Sequence, residues 1–276
     1  MQLNKSTFYG AALVSMFFLA NPAIATPIID DQFDDGNLAT NTAGPGTGWN
    51  VYSQGSATAS EGGGHAHLNS VASPQIIQIS SKDTFDFFNA NGINAEWEIT
   101  SSGAGATSGN RRYLSVVAED FSSFDSRLNP DDTNAPGVYV RLTDGGDYQG
   151  GIEIESGSGG GRQLLESWSW SSIWDGSGAL DVDLFLNDMG YSLDIAGNVG
   201  VYNSAGSWSS LTGAAATFTS VWGSRSAVIA AQNQALPTSS VLAIDRIAVS
   251  TGVPVPAPAS LGLFALALFG LRFFRR

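Results

Sequence analysis

Two glutamates near the middle of the chain are the residues best suited to catalysis. Glu153 and Glu155 lie two positions apart, so in an extended strand both carboxylates project from one face. Glycosidases use a pair of carboxyl groups, and retaining enzymes hold them about 5–5.5 Å apart. The chain continues as Ser156-Gly157, without a third acid. The pattern fits either a catalytic pair or the solvated face of an antiparallel strand.

Three tryptophans that follow are candidates for contact with a sugar. Trp168 and Trp170 share a face if the segment is extended, and Trp174 lies nearby. Exposed aromatic rings can pack on the C–H face of a sugar, but large aromatics also dominate protein cores. The serines between them keep the opposite face polar. One face is therefore either buried or glycan-binding, and both interpretations stay open.

Two aspartates far apart in sequence suggest a structural calcium ion. Asp34 lies in an acidic turn around Gly36, and Asp245 has the strand parity of apolar Ile247, which directs it inward. A buried carboxylate needs a partner, and Ca²⁺ with oxygen ligands is one. Arg246, backbone amides, or a bulge that turns Asp245 outward are alternatives. We expect no cofactor other than this calcium.

The only two histidines, His65 and His67, also share a face if extended. Two imidazoles can ligate a transition metal, although the sequence identifies no third ligand nearby. They follow three glycines, and polar residues are expected at such a turn. The turn interpretation is the simpler one.

These candidates lie in a chain with the pattern of an all-β protein. Period-2 alternation marks 138–142, 152–155 and 182–186, and turn residues separate these runs. The turn at Asn187–Gly190 predicts a hairpin into the run that begins at Tyr191. Short strands at spacings near ten residues predict an antiparallel β-sandwich.

Composition limits the classes of partner. The chain has no cysteine, so no disulfide supports its core. Without the two terminal segments described below, 8 basic residues face 25 acidic ones, a net charge of −17. Such a surface repels nucleic acid, so we expect no nucleic-acid partner. Neutral glycans and cations remain compatible.

Several segments resemble the concanavalin A-like lectin and glucanase domains. These are the opening Asp31–Asn37, Trp49 after it, the hairpin at 180–195, and the closing strand Ile244–Val249. The resemblance implies a jelly-roll sandwich over residues 26–252 in which the first and last strands are neighbours. Asp34 and Asp245 would then lie close together.

The resemblance also bears on the two glutamates. Laminarinase-type glycosidases of this fold carry their acid and nucleophile on one strand, in a motif such as E-x-D-x-x-E. The sequence around Glu153 and Glu155 keeps only part of that motif. A laminarinase-like hydrolase is therefore the alternative to a non-enzymatic protein.

The first 25 residues read as a secretory signal peptide. Lys5 gives a small basic region, Phe8–Ala20 is apolar, and Ala23-Ile24-Ala25 is an A-x-A cleavage site before Thr26. We therefore expect export across the inner membrane.

Residues 253–276 form a hydrophobic segment with a basic end. Thirteen uncharged residues, Ala259–Leu271, precede Arg272, Arg275 and Arg276. An apolar segment before basic residues is the layout of a membrane anchor, although thirteen residues is short for a span. We predict a transmembrane helix that anchors the chain transiently in the inner membrane.

This segment resembles the PEP-CTERM sorting signal, which an exosortase reads and cleaves. The motif comprises Pro256, Ala257 and Pro258, with Ala257 where the family's namesake has Glu. The resemblance implies an exosortase partner and a cell-surface or extracellular destination. We therefore predict a non-enzymatic envelope or matrix protein that associates with exopolysaccharide or other glycans. A protein-binding adhesion module is a further alternative.

Overall fold

The structure, a computed structural model, describes residues 25–251 apart from 72–74, 87, 89–90, 102–110, 119–135, 144–148, 156–161, 213–215, 217, 223–225 and 236–238. This part belongs to one compact unit, Thr26–Gly252. The sorting motif at Pro256, Ala257 and Pro258, and nearly all of the predicted signal peptide, lie outside the described residues.

One layer of the unit is an eight-stranded antiparallel sheet, called sheet A. Seven strands follow the order β13-β12-β11-β6-β15-β4-β3, and β1 pairs with β15. In chain order they are β1 (Thr26–Asp31), β3 (Thr58–Glu61), β4 (Ala66–Ser70), β6 (Ile93–Ser101), β11 (Leu180–Leu186), β12 (Gly190–Gly197), β13 (Val201–Ser207) and β15 (Ser240–Thr251).

The second layer is a seven-stranded antiparallel sheet, called sheet B, with the order β10-β9-β8-β7-β14-β5-β2. Its strands are β2 (Trp49–Ser53), β5 (Gln75–Ser81), β7 (Arg111–Ala118), β8 (Gly137–Thr143), β9 (Gln149–Glu155), β10 (Arg162–Ser169) and β14 (Ala227–Ala235). The predicted antiparallel sandwich is therefore confirmed.

Helical structure is minor in the described part. Two one-turn 3₁₀ helices, Trp170–Ser172 and Trp208–Ser210, and a short helix α1 (Phe218–Trp222) connect strands. Each contributes a buried aromatic side chain to the core, namely Trp170, Trp208 and Trp222. No helix among the described residues has the length and hydropathy needed to cross a membrane.

The core lies between the inner faces of the two sheets, as period-2 alternation requires. Ile152 and Ile154 of β9 are buried in it, together with Val182 and Leu184 of β11. The predicted hairpin is confirmed, since β11 and β12 pair from Leu186↔Tyr191 outward. The residues that alternate with these core residues, such as Glu153 between Ile152 and Ile154, point to the outer faces of the sheets.

Strand β15 closes sheet A. It pairs with β6 along most of its length, with β4 over Ser240–Ile244, and with β1 over Ile247–Thr251. The first and last strands of the unit are therefore neighbours, as the sequence resemblance implied. The register with β6 shifts between Ile244 and Arg246, which leaves Asp245 as an extra residue in the ladder.

Candidate functional site

The outer face of sheet B combines polar side chains with a buried cluster of Tyr113, Val117, Tyr139, Val228 and Ala230. They alternate with core residues on neighbouring strands, as the period of two dictates. Gln78 pairs with Gln232, and Gln232 pairs with Tyr113, so the three lie in one row across β5, β14 and β7. A second row runs through Ser80, Ala230, Ser115, Tyr139 and Glu153.

Four polar side chains on the adjacent strands β5 and β14 form what we call the glutamine cluster: Gln78, Ser80, Gln232 and Gln234. Their exposed fractions are 2% for Gln78, 0% for Ser80, 1% for Gln232 and 4% for Gln234. Among the described residues, no hydrogen-bond partner is found for the side-chain nitrogen of Gln78 or Gln232. The same holds for the amide oxygens of Gln232 and Gln234 and for the Ser80 hydroxyl.

Such a cluster is unfavourable for folding alone. A buried polar group without a partner costs about 1–3 kcal/mol, and most buried polar groups in native proteins are therefore bonded. The indole N–H groups of Trp97, Trp168 and Trp170 are also unpartnered in the described part, but each belongs to a large apolar ring in the core. The glutamine cluster instead combines donors and acceptors on one outer face.

Glu153 and Glu155 project from this same face, as the sequence predicted. Both are buried, so the interpretation of a solvated strand face is wrong. Arg141 on neighbouring β8 donates to Glu153, with Nη1 2.8 Å from Oε1. The ion pair ties one member of the carboxylate pair to a permanent positive charge.

The structure buries the three candidate tryptophans in the core rather than exposing them. Trp168, Trp170 and Trp174 all belong to the main core cluster. Trp168 packs edge-on against Trp170 with ring centres 5.5 Å apart, and it contacts Tyr202 at 4.7 Å. Of the two interpretations that the sequence left open, the buried face is therefore observed, and the rings form no exposed platform.

A glycine explains how Trp168 fits there. Gly150 pairs with Trp168 across β9 and β10, and a Cβ at Gly150 would lie 2.0 Å from the indole nitrogen. The ring thus occupies the space that a larger residue at position 150 would fill. Because that space faces the inside of the sandwich, the tryptophan is fixed in the core.

The structure corrects the prediction, made from strand parity, that Asp245 points inward. Asp245 was expected to point inward with Ile247, but the bulge in β15 gives it no opposite residue on β6. A bulge inserts one residue and reverses the alternation that follows. Ile244 and Ile247 therefore stay in the core, while Asp245 and Arg246 both reach the outer face of sheet A.

Asp245 lies beside His65, with Oδ1 2.6 Å from the ring Nδ1. Asp34 and Asp245 line the same open depression, so their predicted proximity is observed. The histidine already engages one oxygen that calcium would use. Within the described residues, no group of three or more His, Asp or Glu side chains is placed to hold a metal ion. Calcium at this pair stays a prediction.

The outer face of sheet A is a ladder of carboxylates around one arginine. Arg246 donates to Asp30 at 2.7 Å, to Glu96 at 2.9 Å and to Glu98 at 3.0 Å. Asp183 lies opposite Glu96. Burial, and next the charge of Glu96, raises the pKa of Asp183 to about 6. This face is acidic, and a single arginine joins three of its carboxylates.

Sequence reasoning missed the glutamine cluster. Gln78 stands between core residues Ile77 and Ile79, and Gln232 lies between core residue Ala231 and buried Asn233. A glutamine that interrupts apolar residues at period two was a visible signal. The sequence did not show that the two segments pair directly, with Gln78 opposite Gln232.

No family model and no curated protein matches the sequence. Solved structures are similar to the chain. The catalytic domain of an endo-1,3-beta-glucanase (laminarinase) from Thermotoga petrophila RKU-1 matches with a TM-score of 0.55 and 11% identity, over 83% of this chain and 98% of that one.

Two sugar-binding proteins are similar to the same extent. The Lotus tetragonolobus seed lectin matches with a TM-score of 0.54 and 8% identity, over 75% of this chain and 94% of its own. The carbohydrate recognition domain of Emp47p matches with a TM-score of 0.52 and 14% identity, over 78% and 93%. At these identities the similarity shows the fold alone, and the predicted concanavalin A-like jelly-roll sandwich is confirmed.

Proposed function

We propose that this protein is a non-enzymatic glycan-associating protein and that the outer face of sheet B binds the glycan. The glutamine cluster is the observation that carries the proposal. Its donors and acceptors, which have no partner within the described part of the chain, lie on two adjacent strands and are almost fully buried. A ligand that gains access to these buried groups and supplies the missing hydrogen bonds would remove the cost of leaving them unpaired.

A neutral sugar has the chemistry that the cluster requires. A glutamine amide carries both a donor and an acceptor, and each sugar hydroxyl does both as well. An anionic group only accepts, so it would leave the amide oxygens unmatched. The net charge of −17 also repels polyanions such as uronic acid polymers.

Aromatic rings accompany the amides on this face. Tyr113 and Tyr139 meet edge to face with ring centres 6.3 Å apart, and Tyr52 lies opposite Gln78 on the edge strand β2. Tyr113 and Tyr139 are themselves buried, so they border the glutamine cluster without forming an exposed aromatic platform. The similarity in fold to two lectins and a laminarinase supports the same class of ligand.

The ion pair of Glu153 and the incomplete acid motif both favour binding without hydrolysis. A general acid must donate a proton, but Glu153 is held in an ion pair with Arg141. The third acid of the laminarinase-type motif is also missing from the sequence after Glu155. The residual alternative is hydrolysis by Glu153 and Glu155.

The cellular setting completes the proposal. The signal-peptide pattern and the resemblance of residues 253–276 to a sorting signal support export and processing by an exosortase. The protein would then end at the cell surface or in the matrix and associate there with exopolysaccharide. An inner-membrane stage would precede release.

Retention on polysaccharide tests the proposal. The unit Thr26–Gly252, which has its own core, is incubated with an insoluble neutral β-glucan and, separately, with immobilised polygalacturonate. We expect retention on the neutral polymer only, and at least a tenfold loss in the double variant Gln78→Ala/Gln232→Ala. Asn69→Ala, on the outer face of sheet A, is the matched control and should bind normally.

Sugar release is measured in the same samples. Reducing ends that appear with the wild-type protein and disappear in Glu153→Gln would replace the binding proposal with hydrolysis. Retention that is equal in wild type and in the double glutamine variant would show that the glycan, if bound, lies elsewhere.

A further inference from the structure

The hairpin between β3 and β4 brings the two histidines together on the outer face of sheet A. Gly62 donates its N–H to the carbonyl of His65, and Gly63 and Gly64 adopt positive φ values that favour glycine. His65 stands at the end of this turn and His67 lies two residues later, in β4. Both rings are partly exposed, and their centres are 5.7 Å apart at an interplanar angle of 82°.

Each ring has one nitrogen occupied by an oxygen acceptor. His65 Nδ1 is 2.6 Å from the Asp245 carboxylate, and His67 Nε2 is 3.2 Å from the carbonyl oxygen of Gly62. Carboxylate and carbonyl oxygens accept, so these two nitrogens carry the protons in the neutral rings. The remaining nitrogens, Nε2 of His65 and Nδ1 of His67, then keep their lone pairs.

Hydrogen bonds of this kind are typical of metal-binding histidines in proteins. A histidine ligand usually donates its other N–H to a carboxylate or a backbone carbonyl, which fixes the ring and raises its basicity. With metal–nitrogen bonds of about 2.0–2.1 Å, two ring centres that share one ion stand roughly 5–6 Å apart. The observed 5.7 Å between the rings agrees with this spacing.

We propose that His65 and His67 form a two-histidine site for a divalent transition-metal ion such as Zn²⁺, Ni²⁺ or Cu²⁺. Asp245 is a positioning residue that orients His65. In the described part of the chain no third His, Asp or Glu completes a ligand set, so water or a group from another molecule fills the other positions. Imidazole favours these ions, whereas Ca²⁺ prefers oxygen ligands.

The surrounding charges favour a cation. Asp34, Glu98 and Asp245 line the depression that contains His65. Arg246 also lines it, but its guanidinium is bonded to Glu96, Glu98 and Asp30, which offset its charge. The site is separate from the glutamine cluster, since the two lie on outer faces of different sheets.

Zinc titration of the full chain, expressed without a polyhistidine tag, tests the proposal. Calorimetry should find one Zn²⁺ per chain, because the sequence contains only these two histidines. His65→Ala and His67→Ala should each weaken binding at least tenfold. Asp245→Ala should weaken it by about 10–100-fold, the usual effect of removing the partner of a histidine ligand.

Controls separate the metal site from folding and from calcium. Asn69→Ala, two residues beyond His67 on the same strand, should bind Zn²⁺ as the wild type does. Circular dichroism verifies the fold of each variant, and His65→Gln and His67→Gln replace any alanine variant that is unfolded. Zinc affinity that is unchanged in both histidine variants, or no zinc binding by the wild type, overturns the proposal. Competition by Ca²⁺ at equal concentration would also overturn it and would favour an oxygen site at Asp34 and Asp245.

Discussion

The two outer faces of the sandwich carry opposite kinds of polar chemistry. On sheet A, carboxylates such as Glu96 and Glu98 are partly exposed and share Arg246. On sheet B, Gln78 and Gln232 are buried, uncharged and without hydrogen-bond partners among the described residues. On sheet A, ion pairs to Arg246 therefore satisfy several of the charged groups. On sheet B, the described residues leave several amide donors and acceptors unpaired, and the proposed ligand would satisfy them.

The difference separates stability from binding. Ion pairs within a face are interactions that folding completes by itself, so the outer face of sheet A gains little from a neutral ligand. An unsatisfied amide is a cost that folding leaves in place. Natural proteins retain such costs mainly where function requires them. This contrast is why we propose the glycan site on sheet B and the cation site on sheet A.

Replacing an arginine by glutamine on each face should give the largest difference in the free energy of unfolding. Arg141→Gln removes one ion-pair partner of buried Glu153, so the free energy of unfolding should fall by up to roughly 3–5 kcal/mol. Arg246→Gln acts among partly exposed carboxylates that water can solvate, so the loss should be about 1–2 kcal/mol. Urea denaturation measures both. Equal losses would contradict the difference in burial between the two ion-pair sites.

Asp183, on the acidic outer face of sheet A, should make the free energy of unfolding depend on pH. Burial, with the charge of Glu96, raises the pKa of Asp183 from 3.8 to about 6 in the folded protein. As pH rises above 4 the unfolded chain loses this proton first, so the wild type loses stability up to pH 6 and then levels off. Asp183→Asn should remove this loss, which is about 3 kcal/mol at most.

Unfolding of wild type and Asp183→Asn at intervals between pH 4 and 7 measures this difference. The difference in stability between the two proteins should change only between pH 4 and 6 and stay constant above pH 6. Asn69→Ala, on the same face but not titratable, should follow the wild-type profile. A constant difference between wild type and Asp183→Asn at every pH would mean that the substitution acts through packing instead.

The smallest expected effect is a gain in stability on sheet B. Gln232→Met keeps the length of the side chain and removes two unpartnered polar atoms, so the free energy of unfolding should rise by about 1 kcal/mol. Retention on neutral β-glucan should fall at the same time. Thermal melts and the retention assay measure the two changes. A variant that is less stable and still binds would show that Gln232 has a structural role.

Parts of the fold were predictable from local pattern. The alternation at Val138–Leu142 and 152–155 identified β8 and β9, and the turn at Asn187 identified the β11–β12 hairpin. The shared face of Glu153 and Glu155 followed from the same period. These features depend on neighbours in sequence, for which side-chain alternation is sufficient.

Other features depended on residues distant in sequence. Parity alone directed Asp245 inward, because a bulge is decided by how β15 matches the register of β6. Alternation also placed Trp168 and Trp170 on one face of their segment without showing that the face packs against sheet A, where Tyr202 lies. Gln78 and Gln232 became a cluster only when β5 and β14 paired.

By itself the sequence determined the acidic, cysteine-free composition, the all-β pattern and the faces on which neighbouring side chains lie. These properties follow from residue type and from the period of two. The tertiary structure alone decided that Trp168 is buried, that His65 meets Asp245, and that Gln78 meets Gln232. Each of these contacts forms between strands that are distant in sequence. The register of those strands is fixed by packing over the whole sandwich and cannot be read from the local sequence.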